Sequence, residues 1–120
     1  TAAALAGANL PDGQNYDGLP LVDLLRGGKA PQRDVFYWEL HEGKPIQAVR
    51  FGEWKAVKNG PDAKIELYDL AADKGEKINL AATKPDLVAR AVKLMAANHT
   101  KHPDWPLDGR NRKTKPGGLP

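Results

Sequence analysis

The chain is 120 residues long, carries 18 Lys and Arg against 15 Asp and Glu, and is 41% hydrophobic, so it is one domain at most with a modest core. With no Cys and no Ser, it has no disulfide framework, no thiolate metal site, no cysteine nucleophile and no serine nucleophile. The net charge of +3 is local: residues 101–120 hold five basic and two acidic side chains, which leaves the first hundred residues balanced at 13 of each sign. A basic end on a neutral body reads as a solvated tail rather than a nucleic-acid face.

In chain order, Thr1 to Ala8 is Ala-rich and reads as the last turns of a helix that Gly7 or Asn9 ends; starting uncapped at residue 1, it reads as truncated. No signal peptide and no membrane-length apolar run is visible, so a leader has been removed or the chain is a piece of a longer protein. Pro-Asp-Gly and Asn-Tyr-Asp-Gly make residues 10–18 a loop, and a short helix is expected over Leu21–Arg26, with Leu21, Leu24 and Leu25 on one face.

The bulk of the large apolar side chains lies between Val35 and Leu70, in four runs separated by turn chemistry. Val35–His41 alternates: Phe36, Trp38 and Leu40 form one set, Val35, Tyr37, Glu39 and His41 the other. The first set is wholly apolar and is expected to face the core. Ile46–Phe51, Trp54–Lys58 and Lys64–Leu70 complete the strands, the middle two joined tightly at Gly52. Helical spacing of Leu87, Ala91, Leu94 and Met95, with Val88 and Val92 beside them, predicts an amphipathic helix over Lys84–His99, capped by Thr83, lying on the sheet. The expected fold is α+β: a four-stranded antiparallel sheet (35–70) packed by one helix (84–99), with a helical and loop lead-in (1–34) and a basic Gly/Pro tail (107–120).

These pieces, in this order, resemble the C-terminal subdomain of the sulfatases, the arylsulfatase-like enzymes of the alkaline-phosphatase superfamily. Ala48-Val49-Arg50-Phe51-Gly52-Glu53-Trp54-Lys55 is similar to the family's A-V-R-x-G-x-W-K, the most specific match. Phe36-Tyr37-Trp38-Glu39 is similar to its aromatic strand, and Glu66-Leu67-Tyr68-Asp69-Leu70 with Asp73, Glu76, Asn79 and Leu80 resembles E-L-Y-D-L-x-x-D-P-x-E-x-x-N-L, Lys74 replacing the Pro. Tyr16-Asp17-Gly18 with Leu21 to Leu25 resembles D-G-x-x-L-x-P-L-L with its Pro displaced.

The resemblance implies sulfuric ester hydrolysis by the parent protein, with a formylglycine made from a C/S-x-P-x-R motif and a calcium ion, both held by an N-terminal α/β catalytic domain. It also implies a periplasmic or secreted location. Lacking Cys and Ser, this chain cannot hold the nucleophile and is expected to be inactive alone, with no catalytic and no metal-binding residue of its own. Its expected contribution is to complete the fold and to place His41, with Glu39, against the alcohol part of a sulfate-ester substrate. The face that would dock on the catalytic domain is expected to be apolar and to drive self-association when uncovered. Partners of nucleic-acid or membrane type are not expected.

Other readings of single residues compete. Glu39 with Glu42 has the form of an acid/base pair, but the resemblance lends that no support. Arg50 reads as paired with Asp69, and Trp54 as core. Asp69, Asp73 and Glu76 lack the spacing of a twelve-residue calcium loop and read as turn acids. His99 and His102 read as a helix end, and Asn98-His99-Thr100 fits a glycosylation sequon. A free-standing carbohydrate or sulfated-glycan binding module, using Tyr37, Glu39 and His41, is the alternative of a different class; a nucleic-acid binder using the tail is a weaker third.

Overall fold

The computed structural model describes residues 1–14 and 16–108, so most of the expected basic tail lies outside the described residues. The chain divides into two units, Thr1–Arg33 and the part from Asp34 onward.

In the first unit, α1 spans Ala2–Ala6 and ends, as expected, at Gly7 in the left-handed conformation with φ 64°. The expected second helix is shorter than its apolar spacing suggested: α2 is Val22–Leu25. Its leucines are not sequestered, since Leu21, Leu24 and Leu25 are all exposed. The unit is tied by polar links instead. The Leu21 amide donates to the Thr1 hydroxyl at 3.0 Å, and Arg33 donates to the Asp17 carbonyl.

In the second unit, β1 (Val35–Leu40), β2 (Ile46–Phe51), β3 (Trp54–Lys58) and β4 (Ile65–Asp69) form an antiparallel meander in the order β1-β2-β3-β4. The expected fold class and strand count hold. Phe51 pairs with Trp54 across a two-residue loop. Gly52, at φ 59°, takes the first loop position, and Glu53 is not in the positive-φ region, which is the sign pattern of a type II′ hairpin turn.

Helix α3 is Pro85–Asn98. Lys84 holds the N-cap position and makes no side-chain cap bond; Thr83 sits one residue too early and donates to the Leu80 carbonyl at 3.0 Å. Pro85 in the first turn needs no partner for its nitrogen, and Asp86 faces the positive end of the helix. Ala91 and Met95 are buried, and Leu87, Val88 and Leu94 pack beside them, while Val92 turns outward at 49% exposure. No helix among the described residues is long and apolar enough to cross a membrane.

The sheet packs on α3 through the face opposite to the one expected. Phe36, Trp38 and Leu40 are 39%, 49% and 50% exposed, whereas Val35 and Tyr37 pack against the core. The register supplies the reason. Tyr37 pairs with Val49, Val49 with Ala56 and Ala56 with Leu67, and the last three are 0% exposed. Phe36 instead stands in a row with Arg50, Lys55 and Tyr68, and Trp38 in a row with Ala48, Val57 and Glu66. Taken alone, β1 is more apolar on its Phe36–Trp38–Leu40 side. Across four strands, the apolar side is the other, and desolvating Arg50, Lys55 and Glu66 under a helix would leave charges to be paired. The exposed rings stack on each other, 5.9 Å between centroids and 10° between planes.

The free edge of β4 is covered. Asn79 Oδ1 accepts the Leu67 amide at 3.1 Å and the Leu80 amide donates to the Leu67 carbonyl at 2.8 Å, so residues 79–80 satisfy an edge that would otherwise invite pairing.

Candidate functional site

Strand alternation puts Tyr37 and Glu39 on the helix side of the sheet, at the level where α3 ends. His99 is the C-cap residue of α3, in extended conformation, and its ring reaches across to β1. Glu39 becomes the hub of a side-chain cluster. Its Oε1 accepts from the Tyr37 hydroxyl and from His99 Nδ1 at 2.5 Å, and its Oε2 accepts from His41 Nε2 at 3.0 Å. Gln47 Nε2 donates to the Tyr37 oxygen at 2.7 Å. His41, His99 and Glu39 are 14%, 15% and 18% exposed, so the cluster is largely out of water.

A carboxylate only accepts, which fixes the tautomers: His41 donates through Nε2 and His99 through Nδ1. Burial pushes the Glu39 carboxyl up, but the bonds from Tyr37, His41 and His99 outweigh it and hold the group below its ordinary range. Burial, then the Glu39 carboxylate, pushes the Tyr37 phenol well above its ordinary value, so it stays a donor.

Of the two expected substrate-contact residues, His41 and Glu39, the structure brings both to one place but gives them different tasks. Glu39 accepts three bonds and orients the cluster. His41 lines a cavity of about 680 Å³ together with Glu39, Leu40, Glu42, Thr100, His102 and Trp105. The Trp105 and His41 rings meet at 5.4 Å between centroids, tilted by 57°. Glu42 lines this cavity beside Glu39, whose carboxylate accepts from Tyr37 and the two histidines.

Other expectations resolve as structure. Arg50 does not meet Asp69; its Nε donates to the Gly52 carbonyl at 3.2 Å, and Asp69 Oδ1 accepts the Ala71 amide at 3.0 Å in its own turn. Asp73 accepts the Ile78 and Lys77 amides, and these backbone bonds, Ile78 first, hold its carboxyl below the ordinary value. Glu76, at φ 54°, binds Lys55 Nζ at 2.7 and 2.9 Å. Trp54 packs against the core as expected. His99 does more than end the helix: its bond to Glu39 spans sixty residues, and no local pattern signals it. The same holds for Trp105 against His41.

The residues do not fit the formylglycine and calcium that the resemblance implies for the parent. The sequence has no Cys or Ser to convert, and no group of three or more His, Cys, Asp or Glu suited to a metal stands among the described residues.

No protein-family model matches the sequence. An uncharacterized sulfatase of Schizosaccharomyces pombe is 38% identical over 80 residues, covering 62% of this chain and 14% of that protein. Arylsulfatase A of Bos taurus is 32% identical over 116 residues, covering 77% of this chain and 23% of that protein. The chain thus spans less than a quarter of the length of the curated relatives it matches. Among solved structures, a putative sulfatase from Bacteroides thetaiotaomicron superposes with a TM-score of 0.70 at 28% identity, over 81% of this chain and 22% of that one. A 2-O GAG sulfatase superposes with a TM-score of 0.68 at 27% identity, with the same coverage of 81% and 22%. The chain is related to the sulfatases, and its partial coverage of these longer proteins fits a C-terminal sulfatase subdomain.

Proposed function

We propose that this chain serves as the C-terminal subdomain of a sulfatase, packing on an N-terminal α/β catalytic domain and shaping the substrate pocket beside it. The observation that carries the reading is the exposed Phe36–Trp38–Leu40 face, on a unit whose relatives are four or more times longer. A strand face bearing three large apolar side chains is an interface in waiting. The rows around it carry Arg50, Lys55, Glu66 and Tyr68, the mixed polar rim of an inter-domain contact rather than a closed core.

In this reading the calcium, the formylglycine and the acid/base chemistry belong to the catalytic domain, and the assembled protein is exported. The chain's own residues bind and orient: His41, held by Glu39, stands against the alcohol portion of the ester. The test is the reading frame upstream of Thr1 and the activity of its product. A C/S-x-P-x-R motif and sulfate-ester hydrolysis by the full product are expected, with no hydrolysis by the 120-residue chain alone. Turnover of a sulfate ester by the purified chain, or an upstream frame without that motif, overturns the reading.

A further inference from the structure

A second cavity, under the end of α3, is built differently from the one at His41. The strand register sets Glu39, Gln47, Lys58 and Ile65 in one row on the helix side of the sheet, next to the Tyr37–Val49–Ala56–Leu67 row. The last turns of α3 and its C-cap supply Val92, Met95, Ala96 and His99, the i, i+3, i+4, i+7 spacing of one helix face. Strand row and helix face together line a cavity of about 390 Å³, a size in the range of small-molecule sites.

The lining is mostly aliphatic, through Ile65, Val92, Met95, Ala96 and Leu107. Its charge comes from Lys58 and Lys101. Lys58 is half-buried on the helix-facing side of the sheet, where a charge normally has a partner. Among the described residues, neither lysine ammonium has a carboxylate within ion-pair distance or a hydrogen-bond acceptor. No Asp or Glu among the described residues lines the cavity. Glu39, in the same row, is taken up by Tyr37, His41 and His99, and His99 gives it Nδ1. An aliphatic cleft with two unpaired cations and no acid complements an anion carried on an apolar chain.

We propose that this cavity binds an aliphatic carboxylate of medium chain length, its head group facing Lys58 and Lys101 and its chain lying along Ile65, Val92 and Met95. The unbranched Met95 thioether adapts to a flexible chain. The site is on the α3 side of the sheet, opposite the exposed Phe36–Trp38–Leu40 face, so it goes beyond the subdomain reading and does not rest on it.

The experiment is a ¹H–¹⁵N NMR titration of the chain with sodium octanoate, hexanoate and acetate, each below its micelle-forming concentration. Octanoate is expected to bind saturably and to shift the Lys58, Val92 and Ala96 amides. Each CH₂ withdrawn from the chain is expected to weaken binding about fourfold, so hexanoate binds roughly sixteenfold more weakly than octanoate, and acetate leaves these amides unmoved. Lys58→Gln and Lys101→Gln are each expected to weaken octanoate about two- to fivefold. Lys101 is exposed, so its variant spares the fold. Val92, 49% exposed, gives a second such variant: Val92→Glu sets a like charge at the cavity and is expected to abolish binding. No saturable shift at these amides, shifts confined to the Trp38 indole on the opposite face, equal affinity for hexanoate and octanoate, or unchanged affinity in both lysine variants overturns the proposal.

Discussion

Removing the Glu39 carboxylate tests the central polar cluster. Glu39→Ala leaves the Tyr37 hydroxyl, His41 Nε2 and His99 Nδ1 without their acceptor, in surroundings where the two rings are 14% and 15% exposed. A hydrogen bond to a charged group contributes ~1.5–3 kcal/mol, and an orphaned buried donor costs ~1–3 kcal/mol. These do not add, because the variant is also relieved of desolvating a carboxylate. A net loss of about 2–4 kcal/mol is expected, against a total of about 5–15 kcal/mol for a domain. At an m-value of about 2 kcal/mol per molar urea, a loss of about 3 kcal/mol lowers the midpoint by about 1.5 M. Tryptophan fluorescence reports it, since Trp105 contacts His41 and Trp54 packs on the core.

The pH dependence gives an independent readout. The Glu39 carboxyl is held below its ordinary value in the fold, so between the folded and unfolded pKa values the unfolded chain binds more protons. Its stabilisation is fully present above the unfolded carboxyl's pKa of about 4.3 and is lost as the pH falls through the folded value. Glu39→Gln keeps the side-chain volume and removes that ionisation. The stability gap between wild type and Glu39→Gln is therefore expected to close as the pH falls through the folded carboxyl's value. A midpoint for Glu39→Ala indistinguishable from wild type, or a gap that widens in acid, would refute the cluster as a stabilising hub.

Leu67 is fully buried at the β4 end of the Tyr37–Val49–Ala56–Leu67 row, so Leu67→Ala is expected to cost about 2–5 kcal/mol in a denaturant titration; a loss below about 1 kcal/mol contradicts the core assignment. Asn79→Ala removes the acceptor of the Leu67 amide on the β4 edge and is expected to cost about 1–3 kcal/mol, with that amide exchanging with deuterium faster than in wild type. Unchanged exchange there rules out the edge cover. The wild-type chain is expected to associate with rising concentration in sedimentation through its exposed Phe36–Trp38–Leu40 face, and replacing both Phe36 and Trp38 by Lys is expected to prevent this while leaving stability within about 1 kcal/mol, because these rings lie outside the core. Severe destabilisation by that pair would place them back in the core.

Much of the architecture was legible in residue order alone. Turn chemistry at Gly43, Gly52 and Gly60 separated runs of strand-forming residues, and short connections between neighbouring strands favour an antiparallel meander. The 3.6-residue recurrence through Leu87, Ala91 and Met95 located α3, and the ordered motifs from Tyr16 to Leu80 pointed to the sulfatases that the comparisons then supported. These features are local, or depend only on order along the chain.

The buried face of β1 was not legible from β1. Alternation separates Phe36, Trp38 and Leu40 from Val35, Tyr37 and Glu39, but which set is covered depends on the partners at the same register, and those lie in other strands. The charges of Arg50, Lys55 and Glu66 decide against the more aromatic side. The candidate site is a tertiary product in the same sense. His41 and Glu39 lie two residues apart and their proximity follows from the strand, whereas the partner that completes the hub, His99, arrives only because α3 crosses the sheet and ends beside β1. Residue types and their spacing set the elements and the family; long-range packing chose the face that meets water and gave Glu39 its task.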